Sequence, residues 1–148
     1  MNKFYKFVLL IFLIITSHAT GNENFFDEAK SLFDDGKIEE SKFLFQRNIV
    51  FNPKDSKSYL YLAKIYETEE NEVEEEKNIN TTLLLDIDNE EAMYMLINIK
   101  LKKSDFEKVK ELRTQFEMIC KSLCSKIKSI DERLANIEVK NESWKKSK

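Results

Sequence analysis

Near residues 22, 56 and 90 the chain begins the same amphipathic pattern again, at a constant interval of about 34 residues. In the first stretch Phe25, Phe26, Ala29, Leu32 and Phe33 share one helical face. Gly36 follows as a stop, and Ile38, Ser41, Phe45, Asn48 and Ile49 resume the spacing until Pro53. In the second, Tyr59, Leu62, Ala63 and Tyr66 form one stripe and Ile79, Leu83 and Leu84 another. In the third, Met93, Leu96, Ile97 and Leu101 precede a turn at Asp105-Phe106, after which come Val109, Leu112, Phe116 and Ile119. Each period reads as two helices and a turn. Units repeating at this interval are built to stack, because one helix pair cannot cover its own apolar face.

Composition supports helices throughout. Gly21 and Gly36 are the only glycines and Pro53 is the only proline, while 34% of residues are charged, as amphipathic helices joined by short turns require. A Gly-rich phosphate loop has no residues from which to form, so P-loop and Rossmann readings are excluded.

The first residues carry Lys3 and Lys6 ahead of an apolar run from Phe7 to Ile15, followed by Ser17-His18-Ala19, a small-x-small pattern suited to cleavage after Ala19. Residues 1–19 therefore read as a signal peptide and the chain as periplasmic or secreted. The alternative is an uncleaved N-terminal helix tethering a subunit of an envelope complex, although the apolar run is short of the roughly 20 residues that span a bilayer. Cleavage would remove the only histidine, His18, and with it His-based acid/base catalysis, Ser-His or Cys-His nucleophile pairs and His metal ligands. No enzymatic activity and no cofactor are expected.

On these residues the chain resembles the tetratricopeptide repeat family over residues 22–120, in units of about 22–55, 56–89 and 90–120. Ala29 stands where that family has a small residue in the first helix, Gly36 at its turn glycine, Ser41 at its small residue in the second helix, Phe45 at its aromatic and Pro53 at its closing proline. In the second unit Leu62, Ala63 and Tyr66 match, but Glu70 replaces the turn glycine, Glu75 the small residue and Ile87 the proline. In the third, Ser104-Asp105-Phe106 and Val109 follow the Gly-Asp-Tyr turn and its alanine. The resemblance implies an all-α, right-handed solenoid of about three helix pairs, whose first helices line a concave surface able to hold a protein or peptide partner. Tyr59, Tyr66 and Tyr94 are the candidate groove residues.

Cys120 and Cys124 are the only cysteines. In an oxidising compartment a close pair is expected to form a disulfide. Residues four apart in an unbroken helix have β-carbons about 5 to 6 Å apart, whereas a relaxed disulfide needs about 3.5 to 4.5 Å, so the helix should break between them. Leu123, Ile127, Ile130, Leu134 and Ile137 then form the stripe of a capping helix over residues 123–138, followed by a flexible basic tail at 139–148. The rival is one continuous helix from about 105 to 138. Some bacterial tetratricopeptide-repeat proteins carry such a pair at this junction. A thiol-disulfide redox role is the alternative function, but the spacing is one residue longer than C-x-x-C and no strand pattern precedes it. Zinc would lack two ligands.

Charge is divided unevenly. Residues 20–99 hold 8 basic and 19 acidic side chains, a balance of −11, and residues 100–148 hold 14 basic and 8 acidic, a balance of +6. The run from Glu67 to Glu76 lacks EF-hand loop grammar and reads as a solvated turn. The basic end could face an acidic partner, anionic lipid or the acidic half of another copy; nucleic acid is not an expected partner. The functional expectation is an exported scaffold or adaptor that binds a protein or peptide in the cell envelope, in an oligomeric state the sequence leaves open.

Overall fold

The computed structural model describes residues 25–146, with side chains through residue 136. The readings at residues 1–19, including Ala19 and His18, lie outside what is described, as does the side chain of Ile137. Among the described residues every regular element is a helix: α1 Phe26–Asp34, α2 Ile38–Phe51, α3 Ser56–Thr68, α4 Glu72–Leu85, α5 Glu90–Lys102, α6 Phe106–Ile119 and α7 Lys126–Lys146. The pairs α1/α2, α3/α4 and α5/α6 are the stacked units, and α7 packs behind α6. The chain turns between α6 and α7, as a hairpin and not as one long helix. Helix α7 continues to Lys146, past the boundary read at 138, so the stretch read as a flexible tail is helical that far.

The turn inside each pair is the same structure three times. Gly36, Glu70 and Ser104 occupy one repeat position and all have positive φ, at 76°, 56° and 59°. At each, the left-handed residue donates its N–H to the carbonyl three residues back, and the next residue donates to the carbonyl five back: Lys37 to Leu32, Asn71 to Tyr66 and Asp105 to Lys100. This double closure is the Schellman motif, which satisfies helix-end carbonyls and reverses the chain. Asn71 and Asp105 then cap α4 and α6 through their side chains, accepting from the N–H groups of Glu74 and Lys108. A left-handed residue can therefore stand in for the turn glycine. It does so at a conformational cost.

Packing follows the period. Ala29, Ala63 and Ile97 occupy equivalent positions and are fully buried, as are Ser41 and Val109 in the second helices. The Ser41 hydroxyl donates to the Ala29 carbonyl at 2.9 Å, so a small polar residue sits there without an unmet hydrogen bond. Glu75 takes that place in the second unit and is buried too; burial pushes its carboxyl above the usual range, with the Lys102 charge opposing. Leu84, read as part of the apolar stripe of α4, is instead 84% exposed, because α4 meets its neighbours through Ile79 and Thr82 while Leu84 projects outward.

Polar joints tie the units together. Asn48, buried in α2, accepts from the Phe25 N–H at 3.2 Å and donates to Asp55 at 2.8 Å and to the Ser58 hydroxyl at 2.9 Å, linking the start of α1 to the start of α3. The acidic run of the second unit is largely paired: Glu69 with Lys42 at 2.7 Å, and Glu76 with Lys100 at 2.5 Å and Lys103 at 2.6 Å. These two lysines hold the Glu76 carboxyl below its ordinary range. Replacing Glu70 or Ser104 by glycine removes a left-handed strain of about 1 kcal/mol each; urea unfolding should show both variants stabilised by that order, and Gly36→Ala destabilised.

Candidate functional site

The first helices of the units form a continuous row, α1, α3, α5 and then α7, joined by side chains that reach from one to the next. Between α1 and α3, Tyr61 meets Phe26 and Phe33 edge-on, with ring centres 5.7 and 5.2 Å apart, and stacks on the buried Phe45 at 5.0 Å. The Lys57 ammonium lies 5.9 Å from the Phe26 ring. Between α3 and α5, Lys64 pairs with Glu91 at 2.9 Å, and the same lysine lies 4.6 Å from the Tyr61 ring. Between α5 and α7, Arg133 donates to the Asn98 side-chain oxygen at 2.7 Å and Lys126 lies 5.6 Å from the Tyr94 ring. Cations set over aromatic faces are held by the ring quadrupole. The row thus presents alternating aromatic and cationic groups.

The three tyrosines singled out by sequence fall in different places. Tyr94 lies in this row, half-buried between Phe116, 6.1 Å away, and Lys126. Tyr66 turns toward α2, where the Lys42 ammonium lies 4.5 Å from its ring. Tyr59 sits in the first turn of α3 and its hydroxyl donates to the Pro53 carbonyl at 3.4 Å. Tyr61 was not singled out, although it joins the first two units. It lies off the apolar stripe of Tyr59, Leu62, Ala63 and Tyr66, and only the aromatic density of α1 hinted that α3 needed a ring on that side.

Where the loops meet the row, clefts open between adjacent units at equivalent positions. The first, of about 660 Å³, is lined by Phe26, Phe51, Pro53, Lys54 and Lys57 among others. The second, of about 340 Å³, is lined by Leu60, Asp86, Asp88, Glu90, Glu91, Ile119 and Lys121. Lys57 in one stands where Glu91 stands in the other, so the clefts differ in charge.

The two cysteines sit at the far end of the row. Cys120 ends α6 in an extended conformation and is bonded to Cys124, with α-carbons 5.2 Å apart. Inside this small ring the N–H groups of Lys121, Ser122 and Leu123 all point at the Glu90 carboxylate, at 2.7, 3.1 and 3.1 Å, and the Ser122 hydroxyl also donates to it. Successive N–H groups converging on one anion form a nest. Backbone donation from Lys121, then the Ser122 hydroxyl, pulls the Glu90 carboxyl down to about 2. The ring and the first turn of α5 are thereby joined, which fixes where α7 begins. Among the described residues no group of three or more His, Cys, Asp or Glu side chains converges as a metal site, and no helix is long and apolar enough to cross a membrane.

No protein-family model and no curated protein sequence matches the chain. Solved structures do. The Yersinia enterocolitica type III secretion translocator chaperone SycD superposes with a TM-score of 0.68 at 16% identity, covering 89% of this chain and 93% of that one. SycD in complex with a peptide of the translocator YopD gives 0.65 at 15% identity, over 79% and 92%. The second TPR domain of human RPAP3, in complex with an HSP70 peptide, gives 0.62 at 17% identity, over 78% and 92%. The fold is of the tetratricopeptide-repeat type. At these identities the likeness speaks for the fold alone.

Glu90 supplies a pH test. Its folded-state pKa is depressed, so its contribution to stability is fully present above the ordinary value near 4.5 and is lost as pH falls toward about 2. Glu90→Gln should therefore be less stable than the parent at neutral pH, with the gap closing across that interval in denaturant titrations, and should speed amide exchange at Lys121, Ser122 and Leu123.

Proposed function

We propose that the chain is an exported, non-catalytic scaffold that holds a segment of another protein along the row α1, α3, α5 and α7. One observation carries this reading: Phe26, Tyr61, Lys64, Glu91, Tyr94, Asn98 and Arg133 link the row into one surface built from apolar rings with charged groups over them. Such a surface suits a peptide whose apolar side chains meet the rings and whose carboxylates meet the cations. Two of the similar structures were solved with peptides bound, which supports a peptide-type partner. Tyr94 is the first contact residue in this reading, with Tyr59 and Tyr66 at the margins.

The location in this reading rests on the N-terminal sequence. Lys3 and Lys6, the apolar run after them and the small residues up to Ala19 support export, with cleavage after Ala19, to the periplasm or outside the cell. There the Cys120–Cys124 bond is stable and serves to shape the loop that holds Glu90.

A photo-crosslinking side chain at Tyr94 tests the reading in the native cell envelope. It should capture one defined partner, and the same probe at Glu107, exposed on α6, should not; addition of Lys64→Glu should cut the Tyr94 capture at least about tenfold, as loss of a cation facing an acidic segment does. Equal capture from both positions, or none from Tyr94, would contradict it.

A further inference from the structure

A second surface lies on the outer side of the stack, away from the row. Val50, Leu84 and Met118 occupy the same position in the three second helices α2, α4 and α6 and are 75%, 84% and 73% exposed. A large apolar side chain left in water once is ordinary; the same choice at one position of every unit makes a ladder along one edge. One turn earlier in each helix stand Gln46 and Arg47, Asn80 and Thr81, Thr114 and Gln115. Of the nine residues at these three repeat positions only Arg47 is charged, in a chain whose residues are 34% charged. The Arg47 guanidinium lies 4.2 Å from the Phe25 ring, back toward its own unit. The threonines turn their hydroxyls back onto their own helices, Thr81 to the Lys77 carbonyl at 2.9 Å and Thr114 to the Lys110 carbonyl at 3.1 Å.

From this we infer that the ladder is where two copies of the chain pair, back to back, about a two-fold axis at Leu84. Depletion of charge around an apolar centre is the composition of an interface core. The surface is self-complementary in the sense a two-fold contact demands: run antiparallel, Leu84 meets its own copy and Val50 faces Met118 of the partner subunit. The chain as a whole carries a balance of −11 in residues 20–99 and +6 in residues 100–148, so two copies brought together through either half alone would repel, whereas the nine ladder residues carry a single charge, Arg47, and an antiparallel pairing sets the acidic half of one copy against the basic half of the other. Phe43, 61% exposed one turn before Arg47, extends the ladder in the first unit, where the second and third units carry the opposite charges Lys77 and Glu111. Pairing in this way leaves both rows of first helices open, one on each outer side, so a dimer would offer two partner sites.

Sedimentation equilibrium of the full chain over a hundredfold concentration range tests the inference. The parent chain should form a dimer. Leu84→Glu, which sets two carboxylates against each other at the axis, should raise the dissociation constant at least about a hundredfold while helical circular dichroism stays unchanged. Ser129→Glu, adding the same charge at an exposed position of α7, should leave the dimer intact. Should Leu84→Glu lose helical signal, Met118→Glu is read in its place with the same expectation. A parent chain monomeric throughout, or a dimer that survives the ladder substitutions, overturns the inference. So does a monomer that binds lipid vesicles or another protein through Leu84, since that assigns the ladder to a different occupant.

Discussion

No helix pair in this chain can bury its own apolar face, and the whole structure follows from how each pair borrows cover from the next. Helix α3 shows this most clearly. Its Leu62 and Ile65 pack into the aromatic cluster of the first unit, with Ala29 and Phe45, while its Leu60 and Ala63 pack into the aliphatic cluster of the third, with Ile97, Ile99 and Phe116. One helix thus belongs to two cores. Helix α5 is apolar over most of its surface, with Ala92, Met93, Met95, Leu96, Ile97, Ile99 and Leu101 all buried, as a helix covered on several sides must be. At the far end α7 supplies Ile130, fully buried, with Ile127 and Leu134 beside it, and closes the stack.

Charge reinforces the same junctions. Lys42–Glu69 joins the first unit to the second, and Glu76 with Lys100 and Lys103 joins the second to the third. Partly exposed pairs of this kind contribute at most about 1 kcal/mol each, so they select the register of stacking more than they supply its stability. They also account for much of the charge division along the chain, because acidic α4 lies against the basic end of α5. The row of first helices is the by-product: stacking through the sides of α1, α3 and α5 leaves one face of each uncovered and aligned with the next.

The repeat period, the helix pairs and most of the core were legible in the sequence, because Ala29, Phe45, Leu62, Ile79, Met93, Val109 and Phe116 recur at helical spacing within units of constant length. The resemblance to the tetratricopeptide repeat weakened at Glu70 and Ser104, where glycine is usual. The structure shows why this did no harm: backbone hydrogen bonds of the turn hold a left-handed residue of either type. The groove was less legible. A helix buried on several sides has no single stripe, so Tyr61 was invisible to a search for one period, and Leu84 was assigned inward. Nor could spacing reveal the nest around Glu90, which depends on three N–H groups aligned by a ring closed 30 residues later in the chain, between Cys120 and Cys124.

Native-state hydrogen exchange measures directly whether the units hold one another up. If cover is borrowed from neighbours, protection should be highest in α3 and α5, which have partners on both sides, and should fall toward α1 and the end of α7, with the free energy of opening graded along the stack. Equal protection in all seven helices, or the strongest protection in α1, would mean that the chain is held by something other than contact between successive units, and would contradict the account.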